Sequence, residues 1–158
     1  MILVQWGSDM RLAGKEQKMT EKKYYVEELD EVIGEYCAHR SQNTQYAVLN
    51  GLFEGIEKNY TLPCPAEMDE EGNFHIMFAT DENGKESALA LTNLDGEKHP
   101  LVADVKMRSL IRVMMNSDCI GLVLNPGGEH EFCVPKMFMA YALAAGYQMA
   151  IDDMSNGD

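Results

Sequence analysis

At 158 residues the chain has room for one domain whose core needs neither disulfide nor metal staples. Its 46% hydrophobic and 25% charged content is ordinary, but 26 acidic against 13 basic residues give a formal net charge of −13. That balance repels phosphate polymers and anionic lipid, which excludes nucleic acid and membrane surfaces as partners; Lys22-Lys23 is the only adjacent basic pair.

Residues 1–19 are irregular, with Met10 and Met19 as alternative initiators, and read as a tail or a wrongly assigned start. The opening Met1-Ile-Leu-Val-Gln-Trp6 is too short for a signal peptide's apolar region, and no basic segment precedes it. No apolar stretch approaches the ~20 residues that span a bilayer. Cys37, Cys64, Cys119 and Cys133 show no CxxC or metal-knuckle spacing, so a cytoplasmic protein with reduced thiols is expected.

One domain is expected over residues 20–150, followed by a polar tail at 151–158. Val26, Leu29, Ile33, Tyr36 and Cys37 recur at spacings of three and four among glutamates, which predicts an amphipathic helix with Thr20 as a possible N-cap. A second helix is predicted from about Thr44 to Glu57, burying Val48, Leu49, Leu52, Phe53 and Ile56. Gly51 and Gly55 lie four apart within it. Each weakens a helix by ~1 kcal/mol relative to Ala, so a close neighbour is expected there.

The period then changes. Tyr60–Cys64 reads as a strand, and Pro63 marks it as an edge or a strand end. Phe74–Phe78 and Ser87–Thr92 are two more strands, separated by a hairpin-like loop at Asp81–Gly84, with Asp95-Gly96 closing the second. Leu101, Ala103, Val105 and Met107 alternate with Val102, Asp104, Lys106 and Arg108, the pattern of a half-buried strand. A short helix from about Ser109 puts Leu110, Ile111, Met114 and Met115 on one face. Cys119–Leu124 is apolar throughout and belongs in a sheet centre. It stops at Asn125-Pro-Gly-Gly128, where Pro126 presets the second turn position and Gly127 supplies the positive φ of a type II turn. Glu131–Val134 is at most a short strand. A last helix begins near Pro135 and ends at Gly146. The fold class expected is α+β: two N-terminal helices, a mixed sheet of about five strands, and two further helices packed on it.

This order of elements, with Tyr60-Thr-Leu-Pro-Cys-Pro65, Leu91-Thr-Asn93, Ser109–Ile111, Gly121-Leu-Val-Leu-Asn-Pro-Gly127 and Val134-Pro135, resembles the N-terminal domain of the SseB (enhanced serine sensitivity) family over roughly residues 26–146. Leu91-Thr92-Asn93 stands where that family usually has Phe-Thr-Ser, and the short helix that follows there is reduced to Leu94–Glu97. The resemblance implies a small mixed α/β fold, a bacterial source, a cytoplasmic setting and an adaptor or regulatory role. It implies no catalytic residues and no cofactor.

The residues themselves leave two functional readings open. Lys136–Ala145 is apolar around its circumference, so it is either sandwiched in the interior or covered by another chain. Twelve methionines suit an adaptable contact surface as well as an irregular core. The first reading is therefore a non-catalytic domain acting by protein contact or self-association, through Asn125, Pro126, Gly127, Gly128, Met137, Phe138 and Tyr141. The second is a small-molecule sensor or cysteine/histidine enzyme around Asn125–Cys133, with His130 and Cys133 in its site and His99 or His75 lining it. A phosphate cradle at the glycine turn is disfavoured by Glu129 and Glu131, and a metal site by the alternation that turns His130 away from both. Neither a metal nor a cofactor is expected.

Overall fold

A computed structural model describes residues 20–94 and 101–145. Two helices come first, α1 (Thr20–Ala38) and α2 (Gln42–Glu57). Strands β1 (Thr61–Met68), β2 (Phe74–Ile76), β3 (Phe78–Thr80), β4 (Glu86–Ala90) and β5 (Val102–Lys106) follow. Then come α3 (Met107–Met115), β6 (Gly121–Leu124), β7 (Phe132–Pro135) and a last helix, α4, described over 136–145. The class is α+β, with the two N-terminal helices and the two later ones as expected. Among the described residues the strands number seven in two sheets, ordered β2-β1-β5 and β3-β4-β6-β7. Any capping by Thr20, the Asp95-Gly96 closure, His99 and the helix end at Gly146 lie outside the described residues and side chains.

Helix α1 buries Leu29 and Ile33, with Val26, Tyr36 and Cys37 at the margins of the same stripe. Helix α2 opens on Ser41, whose hydroxyl accepts from Thr44 N–H at 3.1 Å while the Thr44 hydroxyl accepts from Ser41 N–H at 3.0 Å, a reciprocal cap. It ends where Asn59 turns left-handed (φ 55°), letting Tyr60 N–H reach the Gly55 carbonyl at 2.9 Å. The close neighbour expected at the α2 glycines is α1: Tyr25 Oη donates to the Gly51 carbonyl at 2.8 Å, and its ring lies over Gly55.

Strand β1 runs to Met68, so Pro63 is not at its end; β1 is the middle strand of its sheet, yet at Pro63 it is laddered on one side only, to β5. The reason lies in which side the prolines face. Residues 61–65 pair with β5 and residues 66–68 with β2. The Pro63 carbonyl accepts from Leu91 N–H at 2.8 Å and the Pro65 carbonyl from Met77 N–H at 2.9 Å. Within a strand, N–H and C=O of one residue point the same way, so both missing donors face away from β5. There the chain makes single bonds in place of a ladder, and the layer divides into two sheets. The strand expected over Phe74–Phe78 breaks at Met77 for the same reason, giving β2 and β3.

Two hairpins share one turn. In the β1–β2 loop, Asp69 Oδ1 accepts from Glu71 and Asn73 N–H (2.9 Å each). In the β3–β4 loop, Asp81 Oδ1 accepts from Asn83 (2.8 Å) and Lys85 N–H (2.9 Å). Asp69-Glu-Glu-Gly-Asn73 therefore repeats the Asp81-Glu-Asn-Gly-Lys85 pattern, and only the latter was expected as a loop.

The core joins Leu62, Ile76, Ala88, Ala103, Val105, Leu122, Leu124, Phe132 and Val134 of the sheets to buried residues of all four helices. The sheets' second face is also partly closed: Leu89 and Leu91 are buried, and Asp104 is only 1% exposed although its alternation predicted a solvent-side position. Helix α3 starts at Met107, two residues early, and buries Met107, Leu110, Ile111, Val113 and Met114. Met115, expected on that face, is 49% exposed. At ~100° per residue it lies roughly 120° from the Leu110–Met114 axis. Strand β6 occupies an interior position, parallel to β4 and antiparallel to β7, with Leu122 and Leu124 buried, but Ile120 falls outside the strand and is half exposed.

Candidate functional site

The Asn125-Pro-Gly-Gly128 turn closes as expected: Gly128 N–H reaches the Asn125 carbonyl at 3.0 Å and Gly127 sits at φ 74°. Asn125 is itself left-handed (φ 54°) and buried, which the sequence reading did not anticipate. Its Oδ1 accepts from Thr92 N–H (2.8 Å), and its Nδ2 donates to Thr92 Oγ1 (2.7 Å) and the His130 carbonyl (2.9 Å). One amide thus ties the carboxyl ends of the parallel pair β4 and β6 to the loop before β7. The phosphate cradle is filled from within, since Gly127 N–H donates to Glu131 Oε2 at 2.6 Å.

The same loop docks on α1. Asp30, Gly34 and Cys37 are spaced i, i+4, i+7 and share one side of that helix. Asp30 Oδ1 accepts from Thr92 Oγ1 at 2.7 Å and faces His130 Nδ1 at 3.0 Å. A methyl group on Gly34 would stand 2.8 Å from His130 Cε1 and 2.9 Å from Nε2, so the ring packs where only glycine leaves room. Cys37 Sγ donates to the Glu131 carbonyl at 3.7 Å, and the Tyr36 and Phe132 rings meet edge-on with centroids 5.2 Å apart.

Sequence reasoning singled out His130 and missed its partners Asp30, Thr92 and Gly34. Asp30 and His130 are 100 residues apart, and no local pattern connects them. Gly34 did leave a trace, a helix-weakening residue within a strongly periodic segment.

His130 and Cys133 do not form a pair. Phe132 and Val134 are buried toward the helices, so strand alternation points exposed Cys133 to the opposite face, while His130 turns to α1. Partial burial, and then the Glu131 carboxylate, push the Cys133 thiol above its ordinary pKa. Iodoacetamide at neutral pH is therefore expected to label Cys133 no faster than free cysteine, because the thiolate is the nucleophile. Faster labelling would mean an activated thiol. His75 lies on the other sheet with Nε2 2.8 Å from Asp69 Oδ2, so it does not line this loop. Among the described residues no group of three or more His, Cys, Asp or Glu side chains could hold a metal ion.

The expected contact residues fall into two groups. Asn125–Gly128 lies at the carboxyl end of β6. Lys136 N–H bonds the Ile120 carbonyl at 3.0 Å, which places the start of α4 at the other end, roughly 13 Å away along the strand. Helix α4 is neither sandwiched nor wholly exposed. Met139 and Ala142 are buried, Phe138 and Leu143 are half-buried, and Met137 (79%) and Tyr141 (72%) stand in solvent. No helix among the described residues is long and apolar enough to cross a membrane. The chain matches no protein-family model, no curated protein and no solved structure.

Proposed function

We propose that this chain is a regulatory or adaptor domain that acts by protein contact and carries out no reaction of its own. The observation that supports it is the outer face of α4, where Met137 and Tyr141 lie one helical turn apart, both more than two-thirds exposed. Ile120, half exposed, adjoins the first turn of α4 through the Lys136 bond, and the Lys136 ammonium holds the Ser117 carbonyl at 2.8 Å. Met115 precedes that loop and is equally open. Clustered apolar side chains on an otherwise acidic chain are unfavourable in water unless something covers them. Methionine and tyrosine suit such a role: one adapts its shape, and the other pairs a large apolar face with a polar tip.

The resemblance to the SseB N-terminal domain points the same way and suggests a bacterial, cytoplasmic setting. In the turn at Asn125–Gly128 the Asn125 side chain and the Gly127 and Gly128 N–H groups bond within the chain and serve the fold. The contact face then consists of Ile120, Met137 and Tyr141, with Phe138 beneath.

A Met137→Glu, Tyr141→Glu double variant tests this. Both sites are exposed, so thermal stability is expected to stay within about 0.5 kcal/mol of wild type. Concentration-dependent sedimentation, or a partner retained by the wild-type chain, should disappear. A chain that is monomeric at high concentration and retains the same proteins with and without the substitutions would sink the reading.

A further inference from the structure

We infer that the partner of the α4 face presents an acidic amphipathic helix, its apolar stripe flanked by carboxylates. This rests on the protein-contact reading and adds the partner's chemistry to it.

Charge is segregated in this chain. Helix α1 carries six acidic residues in 19, and Glu67, Asp69, Glu70 and Glu71 crowd the β1–β2 hairpin. From Lys106 to Ile120, and from Phe132 through residue 145, the balance reverses. Lys106, Arg108, Arg112 and Lys136 stand there against Asp118 alone. The same part holds Met115, Ile120, Met137 and Tyr141, four of the six large apolar side chains that stand open among the described residues. Arg108 is engaged at the end of α2, where its Nε donates to the Ile56 carbonyl at 3.0 Å. Arg112 is exposed and lies three residues before Met115, on the same side of α3. Lys136 precedes Met137 in the first turn of α4, and its ammonium on the Ser117 carbonyl (2.8 Å) joins that turn to the end of α3. The open apolar groups are therefore flanked by Arg112 on one helix and Lys136 on the other.

The start of α4 adds to this preference. A helix N-terminus carries partial positive charge and favours Asp or Glu in its first turn. Helix α4 opens on a lysine instead and has no acidic residue from 136 to 145. A partner's carboxylate would meet the ammonium and the helix end together. The net charge of −13 does not oppose it. Charges beyond about 8 Å are largely screened at physiological salt, so the groups within the contact set its preference. A second copy is a poor match. Facing itself, this surface brings like charges together, and α1, the acidic helix, turns its apolar stripe inward.

The test is a methyl spectrum of the full chain carrying 13C-methyl methionine. Met68 is an internal control, 56% exposed but set among the hairpin acids. A synthetic peptide with leucine at helical positions i, i+3, i+4 and i+7 and glutamate elsewhere should shift Met115 and Met137 saturably and leave Met68 in place. Its leucine–lysine counterpart should shift Met68 instead. Added sodium chloride should weaken the glutamate complex, and Lys136→Gln should weaken it about two- to fivefold. The Met137→Glu, Tyr141→Glu double variant should abolish it. Equal shifts of Met137 by both peptides would overturn the acidic preference and leave the protein-contact reading intact. So would a Met137 response to phosphatidylglycerol vesicles but not to the glutamate peptide, or to the concentration of the chain alone. If neither peptide moves Met137 and the chain retains no partner, both readings fall.

Discussion

Asn125→Ala should be among the most damaging single substitutions in this domain, lowering the free energy of unfolding by about 3–5 kcal/mol. Three side-chain hydrogen bonds disappear together, to Thr92 N–H, Thr92 Oγ1 and the His130 carbonyl. The Thr92 N–H is left in a buried environment without its acceptor, and one such orphan alone costs about 1–3 kcal/mol. A second effect comes from the backbone. Residue 125 sits at φ 54°, a conformation asparagine tolerates and alanine resists by ~1–2 kcal/mol. Asn125→Gly separates the two, since glycine has no quarrel with that φ but makes none of the bonds. Urea unfolding should rank wild type above Gly and Gly above Ala, with the last gap near 1 kcal/mol. Equal losses for Gly and Ala would remove the backbone argument. Losses under 1 kcal/mol for both would show that the amide does not hold the strand ends together.

What the sequence made legible follows from the range of the physics behind each feature. The β6 strand and its turn were readable because their determinants are local: five apolar residues, then Pro126 to preset one dihedral and Gly127 to supply the other. The α1 and α2 stripes were readable for the same reason. Leu29, Ile33, Val48, Leu52 and Ile56 are all buried where the helical period put them. The division into two sheets was not readable. Pro63 announces that a donor is missing but not which side of the strand it is missing from, and that depends on partners 28 and more residues away. The Asp30–His130–Thr92–Asn125 network was hidden for a stronger reason. Its four members come from four segments, and two of them look unremarkable in their own. Asp30 passes for one more acid on the wet face of α1, and Thr92 for a strand end. Gly34 could have drawn attention to that side of α1, because a glycine in a helix that otherwise keeps its period implies something pressed against it.

Gly55→Ala is the second large effect, and it runs against helix propensity. Replacing an interior helical glycine by alanine gains ~1 kcal/mol when the site is open. At position 55 the added methyl would lie 2.1 Å from Tyr25 Oη and 2.5 Å from both Tyr25 Cζ and Met107 Sδ. The tyrosine cannot simply swing aside. It is 6% exposed, it donates to the Gly51 carbonyl at 2.8 Å, and its ring centroid lies 4.8 Å from that of Tyr60. Helix α1 must therefore move off α2, and overpacking of this kind typically costs about 1–3 kcal/mol beyond any propensity gain. A net loss of roughly 2 kcal/mol is expected in urea unfolding. Gly51→Ala is the control on the same helix. Its methyl would meet only the end of the Leu29 side chain at 3.3 Å, which a small rotation relieves, so the change should be near neutral or slightly stabilising. Tyr25→Phe alone should lose about 1 kcal/mol with its hydrogen bond, yet in the Gly55→Ala background it removes the nearest clashing atom and should restore part of the loss. That opposite sign is the signature of a steric contact between the two residues. If Tyr25→Phe and Gly55→Ala were merely additive, the two helices would not meet at Gly55 as described. The near-equality of Gly51→Ala with wild type would then be the only trace of the glycine pair.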